Sequence, residues 1–224
     1  MNILVLSAMS EEIEYILKEQ SFTCIDTING SNLYNLKSKN NVYLMHTQIG
    51  KVNASISTSL LLNKYDVDIV VSIGSCGSLN ENLLVGDFVL ANKLAYHDVD
   101  ITTFGHKLGK LPNNEIYYNT TNSHWFNSVL EDFKQEIKQG LILTGDKFIE
   151  SKDKQILINN FDHPLAVEME SCSIVQTALS FDKDVVVLRT ISDSFSGDQS
   201  IEFNKYLLEV CKEYNFLIKL LLEK

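Results

Sequence analysis

The chain has 224 residues, 45% of them hydrophobic and 21% charged, which suits one α/β domain with a substantial core and leaves little room for two. Its formal charge of −10 argues against a nucleic-acid backbone or an anionic membrane as partner, since lysine- and arginine-rich faces meet both, and favours a neutral or cationic small molecule. The four cysteines (Cys24, Cys76, Cys172 and Cys211) lack C-x-x-C spacing and clustered histidines, so no metal site is expected, and the short apolar start without a basic leader predicts a cytoplasmic protein.

Residues 3–6 read as a buried strand, and the acidic stretch from Ser10 opens a helix with Ile13, Ile16 and Leu17 on one side. Residues 33–36 and 42–47 have the pattern of strands, and residues 51–64 predict a helix with Val52, Ile56, Leu60 and Leu61 spaced for one face. Residues 68–73 are a β-branched strand running into Gly74-Ser75-Cys76-Gly77. No P-loop lysine follows this stretch and no third glycine completes a dinucleotide fingerprint, so it reads as a tight turn. Next come a strand at 86–95, a long connection without clear period at 97–121, and a helix at 125–137. A strand at 140–144, another around Leu165 and a helix at 170–179 follow. Residues 184–189, apolar on both faces, predict a central strand. Phe203, Tyr206, Leu207, Val210, Tyr214, Leu217, Ile218 and Leu221 then recur at helical spacing as a core stripe.

Strands and helices interleave, so sites are expected beyond strand ends, where several elements carry reactive residues. The first strand leads to Ala8, Met9 and Glu12, and the second glycine-rich exit carries Ser75. Later exits carry Phe148 and Ile149, then Glu168, Met169 and Glu170, then Arg189, Ser192 and Asp193. Each has an ordinary structural explanation by itself. An acid suits a first helical turn, Phe148 and Met169 suit a core, and Asp193 suits the cap of a turn. Arg189, however, is the single arginine against eighteen lysines, and its fixed fork of donors is not replaceable by lysine. Carboxylates gathered with an arginine, a serine and an aromatic at strand exits fit glycosyl cleavage through an oxocarbenium-like state. Such a reaction needs an acid for the leaving group, a base for water and a carboxylate near the sugar.

The motifs Ala8-Met9…Glu11-Glu12, Gln48 to Ala54 (QIGKVNA), Gly74-Ser75, Tyr96-His97-Asp98 with Asp100, and Thr103-Phe104-Gly105 continue into Gly145-Asp146…Phe148-Ile149, Val167-Glu168-Met169-Glu170 and Ser192-Asp193. In order and spacing the set resembles the 5′-methylthioadenosine/S-adenosylhomocysteine nucleosidases, within the nucleoside phosphorylase/hydrolase superfamily. The resemblance spans nearly the whole chain. It implies a single domain over residues 1–224, a three-layer sandwich with a central mixed twisted sheet flanked by helices. It implies hydrolysis of 5′-methylthioadenosine and S-adenosylhomocysteine, with no cofactor. Asp193 would protonate N7 of the adenine and Glu12 would activate water, held with Ser75 and Arg189. Glu170 would bind the ribose hydroxyls beside Met169, Phe148 would stack on the purine and Ile149 would offer its backbone. Ala8, Met9, Ile49, Glu168, Ser192 and Phe203 complete the implied binding set. The resemblance further implies a homodimer in which Ile101, Phe104, His106 and Pro112 enter the neighbour's 5′-substituent pocket.

Ser10, Cys76, Ser78, His106 and Ser171 depart from the commonest family pattern. They bear on the 5′-substituent and the rate rather than on the reaction class. Three rival readings stand beside hydrolysis of these substrates: a phosphorylase of the same fold, cleavage of an aminodeoxyfutalosine-like or 5′-deoxyadenosine substrate, and a non-catalytic nucleoside-binding protein.

Overall fold

Alternation along the first strand sets the layers. In the computed structural model, which describes residues 1–196, 203, 206–209 and 211–224, β1 (Asn2–Ser7) sends Ile3 and Val5 to one face and Leu4 and Leu6 to the other. Both faces are buried, as a strand between two helical layers requires. One layer holds α1 (Ser10–Glu19), α3 (His124–Phe133) and α6 (Tyr214–Glu223). The other holds α2 (Lys51–Lys64) and α5 (Ser171–Ser180), which pack on each other. The expected three-layer α/β architecture with a mixed sheet is therefore present.

The sheet has two parts. β5 (Ile69–Ser78) pairs in parallel with β1 and with β10 (Asp184–Asp193). From β10 the sheet continues antiparallel to β6 (Phe88–Tyr96), then parallel to β8 (Ile137–Thr144) and β9 (Pro164–Glu168). β9 meets β5 again through Gly77–Val167 and Ser78–Ala166, so these strands close into a ring. On the other side of β1 lie β4 (Asn41–His46), β3 (Ser31–Lys37) and β2 (Thr23–Ile28), an open wing, while the short β7 (Tyr118–Asn119) pairs with β6. β9 and β5 pair antiparallel only at their C-terminal ends, so the exits of β5, β8, β9 and β10 converge.

Several expectations need correction. Gly74 to Gly77 is no tight turn: β5 runs straight through it, because β10 pairs with Gly74, Ser75, Cys76 and Gly77 in turn. The face of α2 is reversed for three of the four apolar residues expected on it. Val52, Ile56 and Leu60 are exposed, whereas Ala54, Ser57, Thr58, Leu61 and Leu62 are buried, the smaller ones allowing close approach to α5. α3 stops at Phe133, where Lys134 takes a left-handed backbone (φ 59°), and Ile137 already belongs to β8. The C-terminal stripe is not one regular helix, since a 3-10 turn at Cys211–Glu213 precedes α6. Val210 of that stripe lies outside the described residues. α4 (Ser151–Asn160) and β2 were not anticipated.

Candidate active site

Glu12 lies in the first turn of α1, yet it is 2% exposed and its carboxylate turns inward. Oε2 accepts from the backbone N–H groups of Ala8 (2.9 Å) and Met9 (3.1 Å). Oε1 accepts from the Ser75 N–H (2.8 Å) and hydroxyl (2.9 Å). Four donors from two strand exits thus hold one carboxylate, far more than a helix-dipole contact requires. Gly74 explains the approach: its φ of +144° disfavours side chains, and an added Cβ would lie 2.7 Å from Glu12 Oε1. Behind β5, the Tyr214 hydroxyl reaches the carbonyls of Gly74 (2.9 Å) and Leu188 (3.1 Å) and ties α6 to both strands.

Asp193 ends β10 and is likewise 2% exposed. The Ser192 hydroxyl donates to its Oδ1 (3.1 Å), and a Cβ on Gly77 would stand 2.9 Å from Oδ2. The two glycines of the G-S-C-G segment therefore leave room for one carboxylate each. That is a use of glycine different from a turn or a phosphate cradle. Lys154, from the unanticipated α4, lies 3.6 Å from Asp193 Oδ2.

Glu170 sits between β9 and α5 at 6% exposure and accepts from the Gly50 N–H (2.8 Å). Burial, reinforced by the neighbouring Glu168 charge, pushes its carboxyl up to about 8. The folded protein thus holds a proton here between an unfolded value of 4.5 and about 8, where the unfolded chain does not. Stability should fall as pH rises through that window. Glu170→Gln, which has no such proton to lose, should flatten the decline and gain stability over the parent at pH 8–9 but not at pH 5. Thermal unfolding across that range checks it, and parallel pH profiles for the two proteins would refute it.

Glu168 borders the cleft, but its carboxylate serves the scaffold. It accepts from the Glu170 N–H (3.0 Å), the Ser171 N–H (2.8 Å) and hydroxyl (2.8 Å), Arg189 Nη2 (3.2 Å) and the Thr144 hydroxyl. Ser171 supplies two of those donors, one from its backbone and one from its side chain. Arg189 is 2% exposed behind the cleft wall, bonded also to the Ser72 hydroxyl (3.0 Å), and does not line the cleft. Its Nε and Nη1 have no hydrogen-bond partner among the described residues. The lone arginine thus braces Glu168, and the water-holding part expected of it finds no geometric support. Cys76 and Cys172 are buried, and burial pushes both thiols well up, against a nucleophilic role. His97 is buried against Gly145, and burial lowers its pKa.

One cleft of about 720 Å³, part of it open to solvent, unites these groups. Ala8, Met9, Glu12, Ile49, Ser75, Phe148, Ile149, Glu168, Met169, Glu170, Ser192, Asp193 and Phe203 all line it. Phe148, half exposed, meets Phe203 edge-on at 5.9 Å between ring centroids, and is an aromatic wall rather than core. Cys76, Gly77, Lys147 and Val167 also line the cleft and were not singled out as contacts from sequence. Ile101, Phe104, His106 and Pro112 stay outside it, with Phe104 78% exposed. Among the described residues no group of three His, Cys, Asp or Glu side chains is placed to hold a metal ion, and no helix is long and apolar enough to cross a membrane.

A model of the phosphorylase superfamily matches residues 2–215. The chain is 35% identical to the 5′-methylthioadenosine/S-adenosylhomocysteine nucleosidase of Staphylococcus haemolyticus, with 98% of each chain covered. Among solved structures it is similar to the Helicobacter pylori nucleosidase of that name with butyl-thio-DADMe-Immucillin-A (TM-score 0.90, 29% identity, 98% and 96% covered). It is also similar to the futalosine hydrolase of Helicobacter pylori (TM-score 0.92, 28% identity, 100% and 97% covered).

Proposed function

The chain belongs to the phosphorylase superfamily and, on that premise, we propose that it hydrolyses the N-ribosyl bond of 5′-methylthioadenosine and S-adenosylhomocysteine, releasing adenine and the 5′-substituted ribose. The observation that carries this reading is the opening of two buried carboxylates, Glu12 and Asp193, on one cleft that Glu170 and Phe148 also line. Asp193 protonates N7, so that adenine departs neutral. Glu12 takes a proton from the attacking water, which the Ser75 hydroxyl helps to orient. Glu170 binds the ribose 2′- and 3′-hydroxyls and faces the positive charge that grows on the sugar, with Met169 packed beside it. Phe148 stacks on the base and the Ile149 backbone meets its edge. Met9 and Ile49 border the 5′-substituent.

Water is the better nucleophile than phosphate for this cleft. Phosphate recognition needs fixed cationic donors. Lys147 is the one lysine or arginine among the lining residues described, and it already pairs with Asp153 at 2.6 Å, while Arg189 is held behind the wall by Glu168. Adenine release from a panel of 5′-substituted adenosines, with and without phosphate, tests the reading and includes the futalosine-type and 5′-deoxyadenosine alternatives. Free 5′-substituted ribose is expected, and ribose-1-phosphate or no adenine from any member would overturn it. Retention of all the acid–base groups argues against an idle binding protein.

The proposed partner is a second copy of the chain. Ile49, Val52, Ile56 and Leu60 expose an apolar stripe down the outer side of α2, and Ile49 carries it into the mouth of the cleft. An apolar band reaching a ligand site marks a contact surface, and a two-fold pairing would use it twice. The exposed Phe104 and its neighbours Ile101, His106 and Pro112 would then enter the partner's 5′ pocket. Ile56→Glu and Phe104→Asp should each weaken the dimer and 5′-alkylthio recognition together. Light scattering that finds a fully active monomer at assay concentration sinks the idea. A cytoplasmic place in nucleoside salvage accords with four free cysteines, three of them buried.

A further inference from the structure

α4 hides a lysine. Lys154 is 1% exposed, whereas Lys152, two residues earlier, pairs with Glu150 in solvent. The Lys154 ammonium donates to the Ser194 carbonyl (2.7 Å), stands 3.6 Å from Asp193 Oδ2 and lies 5.8 Å from the Phe195 ring centre. Removing an ammonium from water is costly unless a charge or several dipoles receive it. Tying down the segment after β10 needs only a hydrogen-bond donor, which a neutral amide could supply. A full charge beside Asp193 does something an amide cannot.

Resting on the nucleosidase reading above, we propose that Lys154 is a positioning residue for the acid, stabilising the carboxylate that Asp193 becomes as it protonates the purine. The proton leaves an Asp193 oxygen for N7, the electron pair of the breaking C–N bond goes to the base, and Lys154 keeps its protons throughout. Its charge interacts with the carboxylate and hardly with the neutral acid, so it acts selectively on the transition state. Among the described residues, the other groups around Asp193 do not duplicate it. The Ser192 hydroxyl on β10 is neutral, Gly77 on β5 offers no side chain, and burial pushes the Cys76 thiol beside it well up. Glu12, Glu168 and Glu170 bring carboxyl groups and no cation to the cleft, with burial pushing the Glu170 carboxyl up to about 8, Arg189 on β10 is committed to Glu168, and Lys147 on the rim pairs with Asp153.

Two opposite effects follow from removing the charge. Lys154→Met and Lys154→Gln should lower kcat about tenfold or more, with KM within about threefold, because the acid donates less readily. The alkaline limb of kcat/KM should move up by about one pH unit, because Asp193 then holds its proton longer. Lys154→Arg, which keeps a cation, should hold the limb in place. Lys154→Gln still donates to Ser194, so it separates the charge from the hydrogen bond and serves if the methionine variant does not fold. In an Asp193→Asn background, Lys154→Gln should cost no further rate. Neutral variants whose limb stays at the parent's pH, or that cost as much in the Asp193→Asn background as alone, would overturn the proposal. A parent protein that releases no adenine would instead fail the nucleosidase reading itself, before any variant is made.

Discussion

Asp193→Asn should fold like the parent and lose on the order of 100- to 10,000-fold in adenine release, about 3–5 kcal/mol of transition-state stabilisation. The reason is chemical rather than structural. Asparagine has the same shape, so it fits the space left by Gly77 and can turn its oxygen to the Ser192 hydroxyl that now donates to Oδ1. Its amide cannot give up a proton, so the purine would have to leave as an anion. Substrate affinity should change little, since the proposed stacking on Phe148 and the proposed ribose contacts of Glu170 are untouched. A folded Asp193→Asn protein that turns over near the parent's rate removes Asp193 from the mechanism.

How far the site was legible follows from how it is built. Glu12 and Asp193 stand at the exits of β1 and β10, and parallel strands bring such exits together whatever the details of pairing. Chain order alone was therefore enough to group them. What depended on non-local pairing was hidden. Gly74 to Gly77 has the composition of a turn, and only the ladder to β10 keeps it extended. The closing of the ring through two residue pairs between β5 and β9 has no local signal either. α2 misled for a different reason. Val52, Ile56 and Leu60 obey helical spacing as a buried face would, and periodicity cannot tell a core from a surface awaiting a partner. α4 escaped because Ile156 faces solvent while a lysine, Lys154, faces inward, so its pattern contradicts its burial. Arg189 was rightly marked as unusual from its rarity, but whether a guanidinium meets substrate or a neighbouring carboxylate is decided only by side-chain geometry.

Glu12→Gln should be the second severe variant, losing on the order of 100- to 10,000-fold in kcat while still binding substrate. The carboxylate oxygens face Ala8 N–H and Met9 N–H on one side and Ser75 N–H and hydroxyl on the other. An amide has one accepting oxygen, so whichever way it turns, its NH2 meets at least one fixed backbone donor. The hydroxyl of Ser75 can rotate to accept, but its N–H cannot. The variant should therefore set its NH2 toward Ser75 and keep the Ala8 and Met9 contacts, which preserves the start of α1. What it loses is the base: an amide takes no proton from water, and the nucleophile stays weak. Glu170→Ala should behave differently and lose affinity and rate together, because in the proposed mechanism that carboxyl meets the ribose in the ground state and the growing cation later. Saturation kinetics separate the two cases. A Glu12→Gln protein that binds substrate poorly yet turns over normally once saturated would mean that Glu12 holds the nucleoside and some other group activates the water.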